Sequence, residues 1–174
     1  MVKRITEEEC EALFEKYHTP EHVIGHCKAV SHTAVTIGRK LNEQGFALDI
    51  DLIKGAGLVH DVARVSDKHW EVGADILESL GYKDEAEIVR VHMTYDFHDF
   101  DKLDETDLVC LGDRLVKEDQ YVGLNDRIDY IIRKAGNRPE VNKRILQKKA
   151  ETQKFMKCIE ESIGQTIDSL FTKG

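Results

Sequence analysis

The sequence predicts an all-α protein: one domain spanning residues 1–174, built as a bundle of about seven to eight helices. Three observations predict it. Prolines number only two, and a third of the chain is charged, with Glu and Lys abundant. Apolar residues recur at three- and four-residue spacing in segment after segment. The period-two alternation of β-branched residues that marks strands is scarce. A chain of 174 residues is long enough to bury a sizeable core.

The elements follow in order. Thr6 before Glu7-Glu8-Glu9 reads as a capping box, and its helix carries Cys10, Leu13, Phe14 and Tyr17 on one face. A second helix is expected to open with Thr19 as cap and Pro20 at its first position, with a stripe of Val23, Cys27, Val30, Ala34, Ile37 and Leu41 and Gly45 just past its end. Asp49 or Asp51 caps a third, carrying Leu52, Ile53, Ala56 and Val59 and then His60-Asp61. Asp67 is the expected cap of a fourth, residues 68–80, stopped by Gly81. Asp84 starts a fifth that runs to His92, and residues 94–105 read as an aromatic and acidic loop. Thr106 is the expected cap of a sixth, with Leu108, Val109, Leu111, Leu115 and Val116 facing inward. Asn125 begins a short seventh that ends at Gly136, and Pro139 opens a long last helix to about Leu170. No strand, repeat or linker is expected.

Charge and cysteine usage narrow the function. Net charge is −8 with histidines neutral, and no long Lys/Arg block interrupts it, so the surface would repel a phosphate backbone and nucleic-acid partners are not expected. A small anionic substrate remains compatible if a metal supplies local positive charge. Cys10, Cys27, Cys110 and Cys158 are widely spaced on apolar stripes, as reduced buried thiols are. With no apolar leader and no run of membrane-spanning length, the expectation is a soluble cytoplasmic protein without membrane partners.

Against these apolar faces, four polar positions stand out. His26 lies three residues after Val23 and four before Val30; Asp113 lies four after Val109 and three before Val116; and His60-Asp61 ends a run of small and apolar residues. Burying an imidazole or a carboxylate is costly unless it is paired, hydrogen-bonded or metal-bound. A single such residue is easily satisfied by backbone or water, but several on different helices are harder to explain that way. Helix bundles build metal sites from side chains projected inward from facing helices, and imidazole with carboxylate suits first-row metals. His69 and His92 sit where the fourth helix begins and the fifth ends, so both could edge the same cavity.

This set, His26…His60-Asp61…Asp113, resembles the signature of the HD-domain metal-dependent phosphohydrolases. The flanking text fits: Gly25-His26-Cys27-Lys28-Ala29-Val30, Leu58-Val59-His60-Asp61-Val62-Ala63-Arg64, and Leu111-Gly112-Asp113-Arg114-Leu115-Val116. His69-Trp70-Glu71-Val72-Gly73-Ala74-Asp75 and Val89-Arg90-Val91-His92 are similar to the extra histidines of that family's two-metal branch. Residues 159–170 are similar to small stand-alone HD proteins and to HD segments fused to molybdenum-cofactor nucleotidyltransferases. Met93-Thr94-Tyr95 departs from the cyclic-dinucleotide enzymes, which carry a second histidine and a glycine-rich turn there.

The resemblance implies an all-α HD fold with a metal-site core over about residues 20–120 and C-terminal helices over 124–170. It implies that His26, His60, Asp61 and Asp113 bind a first metal, and that Asp61 bridges to a second completed by His69 and His92. One or two divalent ions would be held: Fe, Mn, Zn, Co or Ni, with Mg compatible. A metal-activated hydroxide would then cleave a phosphate ester of a small nucleotide or related metabolite. His60, Asp61 and Arg64 are the expected catalytic residues, with Arg64 and Lys117 each one turn from a ligand and able to hold phosphate. A surface ion pair would equally account for Arg64, and ordinary exposure for Lys117.

His18, His22 and His32 read as surface histidines. The loop from Tyr95 to Asp104 could stack a base beside the site, but Phe97 and Phe100 more simply pin it to the core. Trp70 either shapes the cleft or fills the core. Two rival functions stand beside the hydrolase: a di-iron oxygenase of the same fold, and a non-catalytic nucleotide- or metal-sensing module. The long last helix either pairs with a second copy in a homodimer or closes the bundle.

Overall fold

The computed structural model describes residues 2–171, among which eight α-helices follow one another. They are α1 (Glu7–Lys16), α2 (Glu21–Glu43), α3 (Ile50–Val59), α4 (His69–Ser79), α5 (Lys83–Val91), α6 (Glu105–Leu115), α7 (Leu124–Lys134) and α8 (Pro139–Ile163). The all-α expectation holds with one correction. A small antiparallel hairpin, β1 (Val116–Lys117) and β2 (Gln120–Tyr121), separates α6 from α7. With two residues a strand it is too short to show a period in the sequence.

Helix starts were legible where the cap acts locally. Thr6 and Glu9 form the capping box of α1, and Asp49 accepts the Leu52 N–H at the start of α3. The expected caps that fail have mostly found other roles. Thr19 donates its hydroxyl to the Val62 carbonyl at 2.8 Å, and α2 starts after Pro20 with no side-chain cap. Asp84 lies in the first turn of α5 and accepts from Arg4, and Tyr82 precedes the helix. Asp104 and not Thr106 caps α6, in a reciprocal box with Asp107. Asp67 gives way to Lys68, which enters α4 from a left-handed conformation, φ 50°. Asn125 lies inside α7, which Gly123 precedes. The last helix ends at Ile163, short of Leu170, because Gly164 turns the chain left-handed at φ 74° and residues Asp168–Leu170 form a separate 3-10 turn.

Two apolar clusters hold the bundle, and α2 and α3 contribute to both. One gathers Ile37, Leu41, Ile53, Leu108, Leu111, Leu115, Ile159 and Ile167; the other gathers Cys27, Val59, Val62, Leu77 and Val89. Two small-residue contacts let α3 and α6 close tightly on α2. A Cβ on Gly57 would lie 2.7 Å from the Ser31 Cα, and one on Gly112 would lie 3.0 Å from the Val30 carbonyl oxygen. Both contacts are within a few residues of His60, His26 and Asp113, so backbone proximity is what brings these side chains together. Arg4 ties the N-terminal arm down by pairing with Asp49, Asp84 and the fully buried Glu85.

Cys10, Cys27 and Cys110 are buried free thiols as expected, whereas Cys158 is half-buried. No helix among the described residues is long and apolar enough to cross a membrane.

Candidate metal centre

The structure brings all six expected ligand residues into one cluster, drawn from α2 (His26), the α3 C-terminus (His60, Asp61), the start of α4 (His69), the end of α5 (His92) and α6 (Asp113). Asp61 is its centre. Its Oδ2 lies 3.8 Å from His26 Nε2 and 3.5 Å from His60 Nε2, whereas its Oδ1 lies 3.1 Å from His69 Nε2 and 3.4 Å from His92 Nε2. The two carboxylate oxygens therefore serve two separate groups of donors. Asp113 Oδ1 completes the first group, 2.9 Å from His26 Nε2 and 3.5 Å from His60 Nε2.

Local structure aims the rings. His60 and His92 each stand one residue beyond the last residue of a helix, where carbonyls of the final turn lack helical partners. Each ring folds back and donates Nδ1–H to the carbonyl three residues earlier: His60 to Gly57 at 2.7 Å, His92 to Val89 at 2.6 Å. His26 donates Nδ1–H to the Glu118 carbonyl at 2.9 Å, across from the hairpin turn. With Nδ1 so engaged, the lone pair of each neutral ring sits on Nε2, facing the cluster. Trp70 packs edge-on against His69, with ring centroids 5.2 Å apart.

Such an arrangement fits a cation. His60 Nε2, His69 Nε2 and His92 Nε2 are buried and make no hydrogen bond among the described residues. Orphaned buried nitrogens are costly, and a divalent ion accepting their lone pairs beside two carboxylates satisfies them. The electrostatics agree. Burial by itself would push the Asp61 carboxyl up, but the neighbouring His60 charge and contacts from His69 and His92 hold it well below the usual carboxylate range. Asp113 is likewise held low, against burial, by His26 and His60. Burial disfavours the His60 imidazolium, yet the Asp61 charge, with lesser help from Cys27 and Asp113, raises its pKa well above the ordinary value. The pocket thus draws positive charge, as a proton or as a metal.

The remaining expected residues fall unequally. Arg64 is exposed at the rim, its Nη1 3.4 Å from His69 Nδ1. Lys117 instead places its ammonium over the Tyr130 ring, 4.9 Å from the centroid. His18, His22 and His32 are exposed. The sequence reading missed the anchoring carbonyls. For His60 and His92 the signal was available, since a histidine just past a helix end can reach back three residues; for Glu118 there was none. It also missed a third grouping, His98, Asp104 and Asp107. There the Asp107 oxygens are already occupied by Tyr95 Oη–H at 2.6 Å, His98 N–H at 3.0 Å, Asp104 N–H at 2.9 Å and His98 Nδ1 at 3.1 Å. Those bonds pin the loop.

Comparison with known proteins agrees with this geometry. Residues 23–148 match the HD domain family, and the chain belongs to it. HD domains are typically metal-dependent phosphohydrolases. The chain is also similar to an uncharacterized protein of Methanocaldococcus jannaschii, 33% identical over 72 residues, which are 40% of this chain and 43% of that protein. The match thus spans less than half of that relative's length. No solved structure matches the chain.

Proposed function

We propose that the protein is a metal-dependent phosphohydrolase that cleaves a phosphate ester of a small nucleotide or related metabolite. The observation that carries the reading is the division of Asp61 between two donor groups: Oδ2 toward His26 and His60, Oδ1 toward His69 and His92. In this assignment His26, His60, Asp61 and Asp113 hold one divalent ion and Asp61, His69 and His92 a second. Ions so paired supply Lewis acidity and an activated water for attack at phosphorus. Mixed imidazole and carboxylate donors favour Fe, Mn, Co, Ni or Zn over a metal that prefers an all-oxygen shell.

The chain's own residues do the rest. The carbonyls of Gly57, Val89 and Glu118 keep three imidazoles in one tautomer, so no proton must be lost from Nδ1 on binding. Arg64, exposed beside His69, supports the reading by offering a guanidinium that can pair with a phosphoryl oxygen. On a chain of net charge −8, an anionic substrate needs such local positive charge.

The test is Asp61→Asn, which keeps the shape and removes the shared charge. Metal content of protein purified without chelator or affinity tag, and hydrolysis of a panel of phosphomonoesters, phosphodiesters and dinucleoside polyphosphates, should both collapse. Turnover that survives in the variant refutes the assignment.

A further inference from the structure

His26 differs from the other anchored histidines in a way that has consequences. The rings of His60 and His92 lean on carbonyls of their own helices, so their orientation is local. The anchor of His26 is 92 residues away in sequence, at the turn of the β1–β2 hairpin. Its aim therefore depends on where that hairpin stands.

Fully buried Val116 roots the first strand of the hairpin, but the exposed turn and the second strand have little of their own to hold them. The hairpin has two residues a strand, and isolated two-stranded hairpins are marginal in water. Glu118, whose carbonyl is the anchor, sits at φ 56°, a left-handed conformation that non-glycine residues keep only when their surroundings impose it. On one side the turn rests on α2: a Cβ on Gly25 would be 3.3 Å from the Asp119 Cβ, so the neighbour of His26 is bare where the turn sits. On the other side the support comes from the far end of the described chain. The Tyr121 hydroxyl donates to Asp168, and the Tyr121 ring stacks on Phe171 with centroids 4.1 Å apart and planes 19° from parallel. Phe171 in turn meets His32 of α2 edge-on at 6.3 Å. Ile167, fully buried, roots this segment in the core, and its N–H donates to Glu160 of α8 at 2.7 Å.

We propose that the segment Ile167–Phe171 is a positioning element for one cation site only. Through Tyr121 it sets the hairpin, the hairpin sets the Glu118 carbonyl, and that carbonyl sets His26. It thereby tunes cation affinity at the His26/His60/Asp113 group without touching the His69/His92 group. The proposal rests on the two-site reading above. Asp168, Phe171 and Tyr121 touch neither ion nor substrate; they act through His26.

The experiment resolves the two sites by calorimetric Co²⁺ titration of the full chain in two backgrounds. His92→Ala leaves the His26 group as the stronger site, and His26→Ala leaves the other. Outer partners of metal-bound histidine are worth about 10–100-fold in affinity. The Glu118 carbonyl is such a partner and Phe171 acts on it only through Tyr121, so Phe171→Ala should weaken Co²⁺ by between about threefold and tenfold in the His92→Ala background and by less than about twofold in the His26→Ala background. Tyr121→Phe keeps the stacked ring and removes only the donor to Asp168, so it guards against a variant that fails to fold; it should show the same selectivity at smaller size. Equal weakening in both backgrounds, or none in either, overturns the proposal. A parallel readout is the ¹⁵N imidazole spectrum of the metal-free chain, where the His26 Nδ1–H signal should broaden or shift on Phe171→Ala while those of His60 and His92 stay. If the unsubstituted chain binds no Co²⁺, the two-site reading fails, and this spectrum alone decides whether the segment positions His26.

Discussion

Adding one methyl group at Gly57 should test how the fold assembles the metal centre. In Gly57→Ala the new Cβ would stand 2.7 Å from the Ser31 Cα and 3.0 Å from its Cβ. Ordinary van der Waals contact begins at 3.4 Å, so the α3–α2 spacing must open by about 0.7 Å (3.4 − 2.7), and backbone on the facing side leaves no flexible side chain to yield. Overpacking of this kind costs about 1–3 kcal/mol, which for a chain of this size lowers Tm by roughly 2–12 °C. The second consequence is specific. The Gly57 carbonyl holds His60 Nδ1 at 2.7 Å, so the shift carries His60 away from His26 and Asp113. Metal sites tolerate only about 0.2 Å in ligand distance, so affinity at the His26/His60 group should fall far more than the stability loss alone implies. Calorimetric metal titration and a thermal melt of the metal-free protein measure the two effects separately. A variant that melts lower but binds metal with unchanged affinity refutes the claim that the α3–α2 contact sets the ligand geometry.

Other outcomes follow from the same geometry. Because the His60 pKa is raised by its carboxylate neighbours, an ion entering the first group must displace a proton, so apparent affinity should climb with pH by up to about tenfold per unit until the raised pKa is passed; a flat profile would show that His60 is not displaced. Arg64→Ala should lower kcat/KM by about tenfold, the value of one charge-assisted contact of about 1.4 kcal/mol at an exposed site, and leave metal content unchanged. Burial pushes the Cys10 and Cys110 thiols up to about 12, so at pH 8 both are protonated and shielded; iodoacetamide should label Cys158 first, and mapping of the modified peptides would reveal any early labelling of the other two.

What the sequence could and could not show has a physical pattern. The candidate ligands His26 and Asp113 were legible because each is a polar residue placed where periodicity demands an apolar one, as His26 is between Val23 and Val30; His69 and His92, at helix ends, were legible only through the family resemblance. Helix bodies were legible from the same periodicity. Caps were legible only at Thr6 and Asp49; Thr19, Asp67, Asp84 and Thr106 have the same chemistry for a helix start, and in the folded chain Thr19 and Asp84 are claimed by Val62 and Arg4. Buried Glu85 was invisible, since its partners, the Ile5 N–H and Arg4, are 80 and 81 residues away. The hairpin escaped because its turn uses Glu118-Asp119, without the Asn-Gly or Gly signal that marks a left-handed turn position.

The loop after His92 shows how an aromatic, acidic stretch next to a candidate metal centre can be occupied by its own structure. Phe97 stacks face to face on Phe155, centroids 4.4 Å apart, and the Arg114 guanidinium lies 4.5 Å over the Phe97 ring, which for a stacked ring means the opposite face. Phe100 packs against Phe46 and Phe155. Tyr95 gives its hydroxyl to buried Asp107, and burial with that neighbour drives the phenol pKa well up, so the group stays a donor. Arg114 also donates to the Tyr95 carbonyl at 2.7 Å and follows Asp113 directly in α6, so the loop braces the helix that carries a candidate ligand. Phe97 therefore has neither face open to a nucleobase. A base stacked on Phe97 would have to displace Phe155 or Arg114, so this ring belongs to the bracing of the loop.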